Sequence, residues 1–87
     1  MQMQLISIGY GNVISGDRIV AIVSPDAAPV KRLAAKAKED GMLIDASCGR
    51  KTKSVIVTDS DHVILSALPP EKIVERAAEE ENTDEGF

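Results

Sequence analysis

Aromatic residues are almost missing from this chain: Tyr10 and Phe87 are the only two, and there is no tryptophan. Modules that read single-stranded RNA or DNA stack bases on aromatic platforms, so single-strand recognition is set aside. The single cysteine, Cys48, permits no internal disulfide, in keeping with a reducing compartment. His62 is the one histidine, so the four Cys or His ligands of a structural zinc site are not present. No run approaches the roughly 18 apolar residues of a membrane span. The segment "MQMQLISIGYG" has neither the basic start nor the long apolar run of a signal peptide. These absences predict a soluble, cytoplasmic protein with no membrane partner. There is no internal repeat and no domain boundary. A chain of 87 residues buries only about 60–65% of the surface its unfolded form exposes, so self-association is expected.

What the chain does have is charge, unevenly spread. The net charge of −4 argues at first against a nucleic-acid binder. From Glu71 onward, however, seven acids face Lys72 and Arg76, giving −5, while residues 1–70 hold seven acids and eight bases, giving +1. Seven of those eight bases fall between Lys31 and Lys53. Within "DASCGRKTKSVIV", positions 45–57, Arg50, Lys51 and Lys53 crowd between two apolar segments. A hairpin-like connection there needs only turn residues such as Gly49, so the cations serve something outside the fold.

The hydrophobic pattern predicts short strands at about 4–8 and 12–15 and a longer one at 18–24, punctuated by Gly9, Gly11 and Gly16. "SPDAAPVKRLAAKAKEDG" predicts a helix with Asp26 as N-cap, Pro29 in the first turn and Gly41 just past the end. Its apolar stripe is Val30, Leu33, Ala34 and Ala37. "MLIDAS" resumes strand character, and Val55–Val57 and Val63–Leu65 around "DSD" read as a hairpin buried on both faces. "LPPEKIVERAAEE" predicts a second helix with Ile73, Val74 and Ala77 on one side. The fold class is α+β: a small mixed β-sheet with one central helix and a C-terminal helix. Two short helices cannot cover both faces of this sheet, so the apolar strand surfaces of residues 55–57 and 63–65, with the N-terminal strands, are a candidate subunit interface. Residues 1–80 form the domain, and 81–87 an acidic, disordered C-terminal tail that either keeps the protein soluble or competes for the basic loop.

Cys48, His62, Asp59 and Asp61 allow a nucleophile–base pairing on paper, yet an Asp/Ser-rich turn and a small buried thiol account for them, so no catalytic residue is assigned. Asp59, Asp61 and His62 as metal ligands yield to a solvated turn, so no metal, cofactor or small-molecule substrate is expected. "GYGN" lacks the third glycine of a dinucleotide fingerprint and precedes a strand, which makes it a tight turn. Lys31, Arg32, Lys36 and Lys38, followed by Glu39 and Asp40, look like an ordinary solvated helix face, with Lys31 and Arg32 as secondary DNA-binding candidates. "GRKTK" is either a solvated basic loop or a reader of phosphates and base edges. In the second case Arg50 bonds bidentately, Lys51 and Lys53 add charge, and Thr52 adds a hydroxyl.

The motifs "GYGN", "RIVAIVSPDAAPVKRL", "GMLIDA", "GRKTKSV" and "DSDHVILSAL", in this order and spacing, resemble the RemA family of bacterial extracellular-matrix regulatory proteins over nearly the whole chain. The resemblance implies a double-stranded DNA-binding transcriptional regulator that activates biofilm matrix genes. It also implies a ring-like homo-oligomer with one DNA-binding loop per subunit. It places Arg50 and Lys51 at the family's basic pair, Arg18 at the start of the third strand, where it either joins the loop cations on DNA or braces the loop, and Pro29 at the start of the helix. Lys51 and Lys53 stand where arginine is expected at least as often, which keeps the charge but not the bidentate geometry. Cys48 stands where an aromatic residue is expected. Many weak loops linked in one ring would bind duplex strongly, since later contacts become intramolecular. The rival reading is an oligomeric scaffold in which the loops meet acidic groups of other subunits.

Overall fold

The computed structural model describes residues 4–85, with side chains as far as residue 78. Strands β1 (Leu5–Gly9) and β2 (Asn12–Ser15) form an antiparallel hairpin that is a sheet of its own. A short 3-10 turn, Gly16–Arg18, leads into β3 (Ile19–Val23), and helix α1 (Ala28–Glu39) follows. Then come β4 (Leu43–Asp45), β5 (Ser54–Thr58), β6 (Val63–Ser66) and helix α2 (Pro70–Glu85). The larger sheet has the order β3-β5-β6-β4, with β4 parallel to β6 and the other pairs antiparallel. The class is therefore α+β, as expected, but the N-terminal strands stand apart from the main sheet instead of joining it.

Alternation along β5 and β6 sends neighbouring side chains to opposite faces. Val55 and Val63 pack with Ala37, Val30, Met42 and Leu43 beneath α1. Ile56 and Ile64 pack with Ile6, Ile8 and Ile73 beneath the β1–β2 hairpin and α2. The central hairpin is thus covered on both faces within one subunit, so Val55, Ile56, Val63, Ile64 and Leu65 belong to the core, with Val57 half-buried beside them, and this segment does not offer the bare face that the sequence predicts. Apolar side chains left in solvent on the strands include Val20, beside a bulge in edge strand β3, Ile44 in the opposite edge strand β4, and Leu5 and Val13 in the β1–β2 hairpin, with Leu33 and Val74 on the helices.

Helix α1 ends in a Schellman motif, with the Met42 amide donating to the Ala37 carbonyl at 2.8 Å and the Gly41 amide to that of Lys38. Its start differs from expectation. Ala27 is the N-cap and makes no side-chain cap bond, while the Asp26 amide turns back to Ser24 Oγ. The turn opened by Ser24 and Pro25 takes Asp26 into itself, and Pro29 in the first turn leaves one fewer amide to cap. At α2, Pro70 occupies the first helical position, and the Pro69 carbonyl accepts from Lys72 and Ile73.

Two buried serines lock the end of the sheet where β5 begins and β6 stops. Ser54 Oγ donates to the Leu68 carbonyl. Ser66 Oγ donates to the Ile8 carbonyl at 2.8 Å and accepts from the Leu68 amide at 3.1 Å. Ser66→Ala leaves a buried carbonyl and amide unpaired, so urea unfolding should show a loss of about 1–3 kcal/mol. An unchanged midpoint would show that water replaces the hydroxyl.

Candidate nucleic-acid interface

Because β4 lies parallel to β6 and β5 lies on the far side of β6, the segment after β4 must cross over the end of β6 to reach β5. Residues 46–53 are that crossing, not the hairpin-like connection the sequence suggested. Both roots of the crossing are bonded to the strand beneath. The Ala46 amide donates to the Leu65 carbonyl at 2.9 Å, and the Lys53 amide to that of Ser66 at 2.8 Å.

The crossing begins at Asp45, whose carboxylate accepts from Ser47 Oγ at 2.6 Å and from the Ser47 amide at 3.0 Å. Next, the Arg50 amide donates to the Ser47 carbonyl at 3.0 Å. The two residues between, Cys48 and Gly49, have φ of 55° and 76°. Positive φ at both central positions is the signature of a type I′ turn. It presents Arg50 and the following residues outward: Arg50, Lys51 and Lys53 are exposed and Thr52 is half-buried.

A second turn of the same kind stands beside it. Tyr10 and Gly11, between β1 and β2, have φ of 56° and 80°. Asn12 Nδ2 donates to the Gly9 carbonyl at 3.0 Å and to the Ala46 carbonyl at 3.3 Å, joining the hairpin tip to the root of the basic loop. The Arg50 guanidinium lies over the Tyr10 ring, 5.4 Å from its centroid. The sequence alone gives little sign that Tyr10 and Asn12 belong to the site. The only available signal was a bulky residue at a turn position that favours Asn, Asp or Gly.

The electrostatics divide the cations into two groups. Among the described residues, the ion pairs are Arg18 with Asp59 at 3.4 Å, Lys36 with Asp40 and Lys72 with Glu75. Arg50, Lys51 and Lys53 enter none. Lys31 and Arg32, exposed in the first turns of α1, are also unpaired, and α1 starts at the same end of the sheet as the basic loop, since Val23 pairs with Val55. Arg18 is not with them. It precedes Ile19, which pairs with Thr58 at the opposite end of β5, roughly 13–17 Å away along the strand. Asp59 and Asp61 share that far end. The side chains of the acidic segment 81–87 lie outside the described residues.

No group of three or more His, Cys, Asp or Glu able to hold a metal occurs among the described residues, and His62 Nδ1 lies 2.8 Å from Ser60 Oγ within its turn. No described helix is long and apolar enough to cross a membrane.

The hydroxyl of Ser47, then its amide, holds the Asp45 carboxyl below the ordinary aspartate range. A lowered native pKa means this contribution to loop order is fully present above the ordinary value and is lost as the pH falls through the native one. An NMR titration should place the Asp45 midpoint below that of a free aspartate, moving back up in Ser47→Ala. A midpoint indifferent to Ser47→Ala would remove the hydroxyl from this role.

Known proteins are similar to this chain along its length. The family described as RemA-like, "Extracellular matrix regulatory protein A-like", matches residues 5–77. A Carboxydothermus hydrogenoformans protein named "Putative regulatory protein" is 52% identical, covering 100% of both chains. Proteins of the same name from Clostridium botulinum Type A and Heliobacterium modesticaldum are 56% and 55% identical, each over 99% of this chain and over 98% and 94% of their own.

Proposed function

The chain belongs to the RemA-like family, and on that premise we propose that it is a double-stranded DNA-binding transcriptional regulator, acting as a ring-like homo-oligomer to activate extracellular matrix genes. One observation carries the DNA reading. Three exposed cations, paired with no carboxylate among the described residues, project from a loop whose two roots are bonded to the sheet. Unpaired surface charge on a fixed support is what a phosphate backbone rewards, because each contact releases counterions without first breaking an ion pair.

In this reading Arg50 makes the bidentate contact to phosphate or guanine, Lys51 and Lys53 supply point charges, Thr52 donates a hydroxyl, and Lys31 and Arg32 extend the basic surface. Arg18 contributes where subunit packing brings the start of β3 in one copy toward the loop of another. The ring reading is supported by Val20 and Ile44, exposed on the two opposite edge strands. A contact between unlike edges is heterologous, the kind that closes into rings when the rotation per subunit allows. DNA following such a ring must bend, so sequence preference arises from deformability as well as base contacts.

The test is DNA affinity for a promoter-length duplex across a salt series, with the mass of the oligomer recorded in the same buffers. Log affinity should fall linearly with log salt, by about 0.9 for each phosphate neutralised. Arg50→Ala should weaken binding more than about tenfold and flatten that slope while the mass stays the same. Full affinity in an intact Arg50→Ala oligomer would sink the assignment of Arg50. No binding by the wild type at low salt would leave the scaffold reading, with the loops meeting Asp59 and Asp61 of neighbouring copies.

A further inference from the structure

We infer that Tyr10 is a positioning residue for Arg50: its ring holds the guanidinium in the orientation that meets DNA, and the backbone accepts strain to keep the ring there. The inference rests on the DNA-binding reading above and adds to it a residue from a different turn, 40 positions away in the chain.

Tyr10 is in the left-handed region, with φ of 56°. Asn, Asp and Gly settle in that region easily, whereas a bulky side chain there is an outlier that persists only when something compensates. Core packing does not compensate, because Tyr10 is 51% exposed and lies outside both hydrophobic clusters. Its ring meets the Arg50 guanidinium, 5.4 Å from the centroid, within the range of a cation–π contact. The Asn12 bond to Ala46 fixes the distance between the two turns.

The geometry suits a guanidinium that must still bind something else. A ring attracts the flat face of the cation, while hydrogen bonds to phosphate or guanine leave from its edge, so the two do not compete. A free arginine gives up considerable rotamer freedom on binding, and an arginine held over a ring gives up less. An exposed cation–π contact is worth about 2- to 5-fold in affinity per loop, and the factor compounds over the loops that one duplex engages.

Tyr10→Asn relieves the strained backbone and removes the ring, which separates positioning from structural support. We expect it to raise the melting temperature by a few degrees, leave the oligomer intact and weaken duplex binding about 10-fold or more. Tyr10→Phe should bind as the wild type does. In an Arg50→Ala background at low salt, Tyr10→Asn should cause no further loss. The chain has one tyrosine and no tryptophan, so its ultraviolet emission, excited at wavelengths that phenylalanine does not absorb, reports Tyr10 alone and should change in Arg50→Ala even without DNA.

The inference is overturned by wild-type affinity in Tyr10→Asn, by a lowered melting temperature, or by emission indifferent to Arg50→Ala. An equal loss in the Arg50→Ala background overturns it too, and would make Tyr10 a direct DNA contact. Wild-type protein that binds no duplex at any salt defeats the DNA reading itself, with emission and melting data still recording the Tyr10–Arg50 contact.

Discussion

The parallel pairing of β4 with β6 is the constraint from which the rest follows. A strand that lies parallel to the second arm of a hairpin, with the first arm on the far side, can be joined to that first arm only by crossing the hairpin's end. Residues 46–53 make that crossing and are therefore tied to the end of the sheet. The buried Ser54 and Ser66 hydroxyls stiffen the same end from below, and the β1–β2 tip abuts it from the side. Topology explains why a loop must be here and why it is firm. It does not explain why the loop carries Arg50, Lys51 and Lys53, and that surplus of charge is what the proposed function accounts for.

Among the described residues, no carboxylate is paired with the loop cations: Asp59 is bonded to Arg18, Asp40 to Lys36 and Asp45 to its own turn. An exposed ion pair is worth little to stability, so leaving the loop unpaired costs the fold almost nothing while keeping the cations available to an outside anion. The acidic total of the chain hides this arrangement, because it averages the basic middle with the residues after Glu71.

The strands and helices were legible because their patterns are local. Three N-terminal strands, the helix closed by Gly41, the hairpin around "DSD" and the prolines opening α2 all lie within a residue or two of where the side-chain pattern puts them. The misplaced N-cap is also a local matter: Ser24, Pro25 and Asp26 each favour a turn, and the turn takes Asp26 before the helix can use it. Strand order was not legible. Period-two alternation says which residues share a face but not which strand is the neighbour, so the crossing looked like a hairpin turn and the core residues 55–57 looked like a surface. The cations of the site could be read from their density in four positions. The contact of Arg50 with Tyr10 and that of Asn12 with Ala46 could not, since each joins distant segments through the tertiary fold.

Helix α2 returns to the first strand. Gln4 Nε2 donates to the Ala77 carbonyl at 2.7 Å, Arg76 reaches Ser7 Oγ at 2.8 Å, and Ile73 completes the cluster around Ile6 and Ile8. These are contacts between segments about 70 residues apart, so during synthesis the hairpin that supports the basic loop packs first on the main sheet through Ile56 and Ile64 and is fully closed only when α2 arrives. Long-range closure of this kind slows folding and makes it all-or-none. A nascent chain therefore completes the support of its basic loop late, once α2 has emerged to close on the first strand.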